Sequence, residues 1–266
     1  MKTWLVTFGL VSVLAPFHVH QAGAQENAPV VFQAAGPTFE SIQGTVDAFR
    51  AALGDPNNNN TPGPLGSGHR EINWDGGGAN DTTTDPVTPF DVFLNTRGAR
   101  FTTPGKGLSQ APPSGGAQGG LAVLFNNPTY GTIFSTFSPP RLFTPVGSRF
   151  TDGTFFVPGT NGAEPATVSA FGAVFTDVDK PRGLTRNGAH STLIDYFGVD
   201  GHRLLTGFVP SSPGDASLSF LGVIFPNASI SQVRITTGDS GPGPDDGEKD
   251  IVMMDDFIYA EPQPLP

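Results

Sequence analysis

Two adjacent aspartates near the end of the chain lie within an otherwise apolar segment. This segment, Asp250 to Tyr259, reads DIVMMDDFIY. In a β-strand, Asp255 would share one face with Phe257, and Asp256 would share the opposite face with Ile258. Whichever face is buried, a carboxylate lies in the core unless a β-bulge intervenes. Since an unpaired buried carboxylate is costly, it must meet a cation, an arginine or several backbone amides.

A second acidic pair, Asp177 and Asp179, occurs in the segment FTDVD at the end of a predicted strand. Ca²⁺ takes about six to eight oxygen ligands, including main-chain carbonyls. The two pairs therefore predict a structural Ca²⁺ whose ligands come from Asp177, Asp179, Asp255 and Asp256. Two alternatives stay open: carboxylates buried against arginines or backbone amides, and turn residues in solvent.

The segment GHREINWDGGG, residues 68–78, contains residue types suited to carbohydrate. Trp74 offers an aromatic face on which a sugar ring can stack, and we predict that it binds ligand. The alternative is that Trp74 packs in the core beside Ile72. No residue is predicted to be catalytic, but a polysaccharide hydrolase that uses Glu71 or Asp177 as acid or base remains an alternative.

The composition restricts the classes of partner and of chemistry. The 266 residues include 14 Lys+Arg and 24 Asp+Glu, for a net charge of -10, which disfavours nucleic acids and anionic membranes as partners. The absence of cysteine excludes disulfides and thiolate chemistry. With 35 Gly and 26 Pro the chain does not suit a helical bundle, while 37% hydrophobic residues predict a packed core.

The first residues have the pattern of a secretory signal peptide. Lys2 supplies a positive start, an apolar stretch follows from Thr3 to Phe17, and Ala22-Gly23-Ala24 matches a cleavage site. We predict a signal peptide over residues 1–24 and a secreted, extracellular protein in which residues 25–266 form one β-sandwich domain. We expect no membrane span after cleavage, since no second hydrophobic stretch follows.

Hydrophobic periodicity predicts one helix followed by many strands. Apolar residues at steps of three and four indicate a helix over residues 38–54, capped by Thr38 and ended by Gly54, and residues 55–68 read as a Pro, Asn and Gly loop. Asp152-Gly153 and Asp200-Gly201 are predicted as hairpin turns. About a dozen strands predict an all-β fold, a two-sheet antiparallel sandwich. The strands are predicted over Phe90–Leu94, Ala99–Thr102, Leu121–Phe125, Thr132–Phe137, Thr154–Val157, Val168–Phe175, Thr192–Phe197, Leu204–Val209, Leu218–Phe225, Ile230–Thr236 and Ile251–Tyr259.

Several segments taken together resemble a known group of proteins: GHREINWDGGG, RGARFTTPGKG, SAFGAVFTDVD, LSFLGVIF and VMMDDFIYAEPQ. The set is similar to poorly characterised secreted bacterial proteins with a jelly-roll-like β-sandwich, related to exosortase-sorted extracellular proteins of the PEP C-terminal type. The sequence departs from the sorted proteins after Glu261-Pro262, where it lacks their hydrophobic helix and basic tail. The resemblance implies a single sandwich with a structural calcium, and it implies no catalytic activity.

These features lead to one expected function and two alternatives. We expect a non-enzymatic secreted β-sandwich that binds carbohydrate or another extracellular ligand, because a sandwich can vary its loops without disturbing its core. The alternatives are an extracellular polysaccharide hydrolase that uses Asp and Glu, and a purely structural envelope or matrix protein.

Overall fold

The structure is a computed structural model that describes residues 1, 28–76, 82–181, 192–227, 229–244 and 249–265. Within these ranges most of the regular structure consists of strands, which form two antiparallel sheets. The predicted all-β, two-sheet sandwich is therefore confirmed. The predicted signal peptide lies outside the described residues, apart from Met1.

The first sheet contains seven strands and carries the DIVMMDDFIY segment near its centre. Its strands are β1 (Val30–Gly36), β2 (His69–Ile72), β4 (Gly107–Ala111), β5 (Leu142–Val146), β8 (Ala170–Thr176), β11 (Leu218–Ile224) and β13 (Met253–Ala260). They are ordered β1-β11-β8-β13-β5-β4, and β2 also pairs with β13. Strands β8 and β13 are buried at every residue, since both of their faces are covered.

The second sheet also contains seven strands. They are β3 (Ala99–Thr102), β6 (Phe150–Phe156), β7 (Pro165–Thr167), β9 (Leu193–Gly198), β10 (Arg203–Phe208), β12 (Ile230–Thr236) and β14 (Gln263–Pro264). The order is β10-β9-β12-β6-β7-β14, with β3 paired to β6. The main hydrophobic core lies between the two sheets and includes the rings of Phe101, Phe171 and Tyr196.

Helix α1 (Phe39–Leu53) packs on the first sheet, where it contacts β1 and β11. It begins after Thr38 and ends before Gly54, as the sequence predicts. The ring of Phe49 lies against Gly172 and Gly222, which are cross-strand partners in β8 and β11. A Cβ atom on Gly222 would lie 2.8 Å from the Phe49 ring. Glycine at these strand positions therefore leaves the space that the helix needs.

Three further helices in the described ranges are single turns, α2 (Leu94–Arg97), α3 (Gly120–Leu124) and α4 (Tyr130–Ile133). The strands predicted over Leu121–Phe125 and Thr132–Phe137 are therefore wrong. Both runs contribute side chains to a small second core, and a short apolar run has no periodicity that separates a helical turn from a strand. The strand predicted over Phe90–Leu94 is reduced to a single bridge between Phe90 and Phe101.

The two predicted hairpin turns had different outcomes. Asp200-Gly201 does join β9 to β10, and Gly201 adopts a φ of 74°, a conformation that glycine accepts without steric cost. Asp152-Gly153, by contrast, lies inside β6 and pairs with both β3 and β12. Space around Gly153 is tight, because a Cβ atom would lie 3.1 Å from the Val233 side chain.

Candidate functional site

The paired aspartates of β13 lie at a β-bulge. The register between β13 and β8 shifts between Met254 and Phe257, so that one extra residue of β13 is accommodated there. The bulge interrupts the strict alternation of side chains, and both carboxylates become buried. The sequence argument required buried carboxylates to find partners, and the surrounding loops and helix α1 provide them.

Asp255 is fully buried and bound mainly by backbone amides. Its Oδ2 accepts hydrogen bonds from the N–H groups of Phe137 at 2.6 Å and Ser138 at 3.3 Å, and its Oδ1 accepts one from the Asp256 N–H at 2.9 Å. Burial, and next the charge of Asp256, raise the pKa of Asp255 well above its ordinary value. These contacts are those of the amide-bonded alternative, in which the carboxylate oxygens face protein donors.

Asp256 belongs to a charged network with Arg50, Glu71 and His69. Ser138 Oγ donates to Asp256 Oδ1, and Arg50 Nη2 lies 3.4 Å from Asp256 Oδ2. Arg50 also donates to both oxygens of Glu71, each at 2.9 Å. Burial raises the pKa of Asp256 to about 6, although the Ser138 hydrogen bond lowers it. The carboxylate is thus held between a helix cation and a loop hydroxyl.

His69 completes the charged network as a cation. Its Nε2 lies 2.9 Å from Glu71 Oε1, and its Nδ1 lies 2.8 Å from the carbonyl oxygen of Gly54. Both partners can only accept, so the imidazole must donate from both nitrogens, which requires the protonated ring. Burial lowers the pKa of His69, but the hydrogen bonds to Glu71 and Gly54 outweigh it and the pKa is raised.

Glu71 is engaged on both sides by these cations. Burial acts to raise the pKa of Glu71, but the hydrogen bonds from His69 and Arg50 lower it below its ordinary value. A general acid needs a pKa near the working pH, so this carboxylate suits an ion pair better than proton donation. Two cations and two carboxylates balance in charge, and the network joins α1 to β2 and β13.

Trp74 lies in the core. Its indole is fully buried and stacks on Phe143, with ring centroids 3.7 Å apart, while Phe101 and Phe257 contact it edge-on. Its N–H donates to the carbonyl oxygen of Asp255 at 3.1 Å. No face of the ring is open to a ligand, so the expectation that Trp74 stacks on a sugar is corrected in favour of the core alternative.

A second set of carboxylates gathers at one end of the sandwich, in three loops. The loops are 177–181 after β8, 209–217 between β10 and β11, and the described residues 237–244 and 249–250 between β12 and β13. We call this set the acidic end cluster, and its members are Asp177, Asp179, Asp215, Asp239 and Asp250. Lys180 pairs with Asp239 in this cluster. Asp177 and Asp179 thus belong to a different network from Asp255 and Asp256.

Hydrogen bonds hold the three loops together. Asp250 Oδ1 accepts from the N–H of Asp179 at 3.2 Å, and Asp179 Oδ1 accepts from the N–H of Gly214 at 2.9 Å. The Asp250 N–H donates to Asp239 Oδ1 at 3.0 Å, and the Asp239 N–H donates to the Asp250 carbonyl oxygen, also at 3.0 Å. Each loop is therefore placed by contacts with a carboxylate or backbone of the next.

Two buried oxygens of the acidic end cluster have no hydrogen-bond donor among the described residues. Asp177 is 6% exposed and its Oδ1 is buried without a hydrogen bond, and Asp250 is 2% exposed and its Oδ2 is in the same situation. Burial, followed by the charges of Asp179, Asp215 and Asp250, raises the pKa of Asp177 to about 8. Burial likewise raises the pKa of Asp250 to about 6.

The predicted calcium ligands do not form a ready-made group of acidic side chains. Among the residues that the structure describes, no three His, Asp or Glu side chains are arranged to hold a metal ion. Asp255 and Asp256 are engaged by amides, Ser138 and Arg50, whereas Asp177 and Asp250 retain unpartnered oxygens. A calcium bound through Asp177 and Asp179 stays a prediction.

An open trough of about 540 Å³, here called the edge groove, lies between β1 and β10 at one open side of the sandwich. In the described part of the chain, β1 pairs only with β11 and β10 only with β9, so each presents a free backbone edge. The groove's lining combines apolar and neutral polar side chains, among them Val31, Gln33, Leu205, Thr206, Phe208 and Ser211.

Comparison with known proteins does not add a function. No protein-family profile matches the chain, and neither curated proteins nor solved structures show a significant match to it. Within the described ranges, every helix is too short or too polar to cross a membrane.

Sequence reasoning missed two features of these sites. Phe208 was included in a predicted strand, but its place at an open sandwich edge depends on the order of strands in the sheet. Asp250 was the first residue of the DIVMMDDFIY segment, and it received no role. The sequence indicates a role for Asp250 only through its position. It stands where the predicted strand begins, and a loop carboxylate at that place could meet the end of a neighbouring strand.

Proposed function

We propose that this protein is a non-catalytic, secreted β-sandwich that binds a neutral extracellular carbohydrate in the edge groove. The observation that carries the proposal is the chemistry of that groove. The side chain of Val31 is exposed and offers an apolar surface, while those of Gln33 and Thr206 can exchange hydrogen bonds with hydroxyl groups. A sugar ring has the same combination of apolar C–H faces and polar edges.

The shape and charge of the edge groove favour a neutral glycan. Its volume of about 540 Å³ is within the range of small-ligand sites, and its open shape suits a chain that continues beyond the groove. Its described lining residues include no charged side chain. With a net charge of -10, the protein as a whole also repels anionic ligands.

The candidate carboxylates are better suited to structure than to hydrolysis. Glu71 is paired with Arg50 and His69, and Asp255 is surrounded by backbone amides. A glycosidase needs one carboxyl group that can give a proton and another that faces the sugar or a water. In the edge groove, the described lining supplies neither, which supports binding without bond cleavage.

A glycan array followed by calorimetry with neutral oligosaccharides tests this proposal. We expect binding to at least one hexasaccharide of glucose, xylose or mannose. Val31→Ala should weaken it about fivefold, since loss of the apolar contact is worth about 1 kcal/mol. Val30→Ala is a matched control, because Val30 is an equally exposed valine in the same strand that lies outside the groove.

Three results would overturn the proposal. Absence of binding to every neutral glycan would favour the purely structural role. Release of reducing ends from polysaccharide, lost on Glu71→Ala or Asp177→Ala, would favour the hydrolase. Equal binding by wild type, Val31→Ala and Gln33→Ala would place the glycan outside the edge groove.

A further inference from the structure

Two carboxylates of the acidic end cluster are buried without a full set of partners among the described protein atoms. Asp177 and Asp250 are each more than nine-tenths buried, and each has one carboxylate oxygen without a hydrogen-bond donor. A buried oxygen in this state normally costs free energy, and it is retained only where something else satisfies it. What satisfies it is a hydrogen-bond donor, a cation or a proton on the carboxyl group itself.

The surrounding charges favour a cation over a neutral donor. The carboxylates of Asp179, Asp215 and Asp250 all act on Asp177. Among the described cations, Lys180 pairs with Asp239 and its charge also acts on Asp250, and Arg149 donates to the carbonyl oxygen of Gly238. Asp177 and Asp250 are buried, while Asp239 is half-buried and Asp179 and Asp215 are exposed. The carboxylates outside the buried pair lie close enough to add negative charge to it.

We propose that the acidic end cluster binds one Ca²⁺, with Asp177 Oδ1 and Asp250 Oδ2 as its carboxylate ligands. Carbonyl oxygens of the three loops and water complete the coordination. Two carboxylates with carbonyls and water are a common donor set for Ca²⁺, which does not require three acidic side chains. Asp179 stays in its hydrogen bond with Gly214 and adds negative charge beside the ion.

The donor chemistry selects Ca²⁺ among the common protein metals. The groups available in the cluster are carboxylate and carbonyl oxygens, which are the hard ligands that Ca²⁺ and Mg²⁺ prefer. Ligands from three loops give an irregular shell, and Ca²⁺ tolerates irregular coordination at 2.3–2.6 Å, whereas Mg²⁺ demands a near-ideal octahedron.

The ion would also brace one end of the edge groove. The N–H of Ser212 donates to the carbonyl oxygen of Val178, which joins the loop that leaves β10 to the loop that contains Asp177. Pro181, Pro210 and Ser211, from the same two loops, line the groove. This inference goes beyond the proposed carbohydrate binding and does not depend on it, since the ion can bind whether or not the groove holds a glycan.

Thermal unfolding and calorimetry of the metal-free protein test the site with CaCl₂ as the probe. We expect one Ca²⁺ per chain and a Tm that rises by about 5–10 °C when Ca²⁺ is 100-fold above its Kd. MgCl₂ at the same concentration should produce a much smaller rise. Asp177→Asn and Asp250→Asn should each weaken Ca²⁺ binding at least tenfold.

The same variants distinguish specific binding of Ca²⁺ from a general effect of salt on the repulsion between carboxylates. In chelator, Asp177→Asn should be at least as stable as wild type, because the amide relieves repulsion among the buried carboxylates. Asp152→Asn is the matched control: Asp152 is also partly buried but already paired with Arg234, so its calcium response should equal that of wild type.

Four outcomes would overturn the calcium site. They are no calcium-dependent heat or Tm shift at millimolar CaCl₂, an equal shift with MgCl₂, an equal shift with NaCl of the same ionic strength, and a folded Asp177→Asn variant with unchanged Ca²⁺ affinity. If Asp250→Asn fails to fold, the stoichiometry of the wild type and the affinity of Asp177→Asn still decide the question.

Discussion

Glu261→Gln should destabilise the protein strongly, because it leaves a buried guanidinium without its counter-charge. Arg70 is fully buried, and its Nε and Nη2 donate to the two oxygens of Glu261, each at 2.7 Å. Removal of one partner from a buried pair costs about 3–5 kcal/mol. At about 2–4 °C per kcal/mol for a chain of this size, Tm should fall by about 6–20 °C.

The destabilisation caused by Glu261→Gln should extend to the loop over residues 55–68. Asn58 Nδ2 and the N–H of Leu65 also donate to Glu261, at 2.8 and 3.2 Å, and Arg70 Nη1 donates to the carbonyl oxygen of Asn59 at 2.8 Å. The ion pair therefore fastens this irregular loop to the strand region at the end of the chain. Proteolysis within the loop should accelerate in the variant.

Urea unfolding followed by tryptophan fluorescence is the assay. Trp74 is buried among aromatic rings, so its emission should shift when the core opens. Asp91→Asn is the control, because it breaks an Arg100–Asp91 pair of similar geometry whose side chains are 32% and 41% exposed. The control should cost about 1 kcal/mol or less.

The reasoning is refuted if Glu261→Gln costs no more than the Asp91→Asn control. A second comparison isolates the buried charge from the shape of the side chain. In an Arg70→Met background, Glu261→Gln should cost much less than in the wild type, since the uncompensated cation is gone. An equal cost in the two backgrounds would also contradict the explanation.

Two further predictions concern helix packing and pH. Gly222→Ala should lower the free energy of unfolding by about 1–3 kcal/mol, because its Cβ would lie 2.8 Å from the Phe49 ring. Adding Phe49→Leu to this variant should recover part of the lost stability, as measured by urea denaturation. No recovery would count against the proposed contact. Protonation of His69 is favoured in the fold, so its contribution to stability is complete below the ordinary pKa of 6.5 and is lost as the pH rises through the higher folded pKa. The urea midpoint should thus fall more between pH 6 and 8 in wild type than in His69→Gln, and parallel curves would exclude this role for the imidazole.

Some properties of the protein follow from local sequence pattern. The steps of three and four in Phe39–Leu53 yield a helix with one buried stripe, and the apolar run at Leu218–Ile224 yields a strand covered on both faces. Each of these features depends on a single helix or strand, because side chains repeat their direction with one fixed period along a helix and another along a strand. The alternation in β13 likewise required its carboxylates to be neutralised.

The way in which those charges are satisfied depends on contacts between distant parts of the chain. A bulge places Asp255 against the amides of Phe137 and Ser138, and helix α1 brings Arg50 to Asp256. These partners are more than one hundred residues away in sequence, so no local pattern selects an amide, an arginine or an ion.

The same physical reason explains the changed roles of the aromatic residues and the acidic end cluster. Trp74 and Phe208 both occur in segments that mix apolar and polar residues, yet the order of the strands buries one ring completely and leaves the other at an open edge. Asp177 and Asp250 meet because loops from separate strands end on the same side. The sequence determines which side chains need a partner, and the tertiary structure decides which partner each one meets, since burial and proximity arise only when the two sheets close.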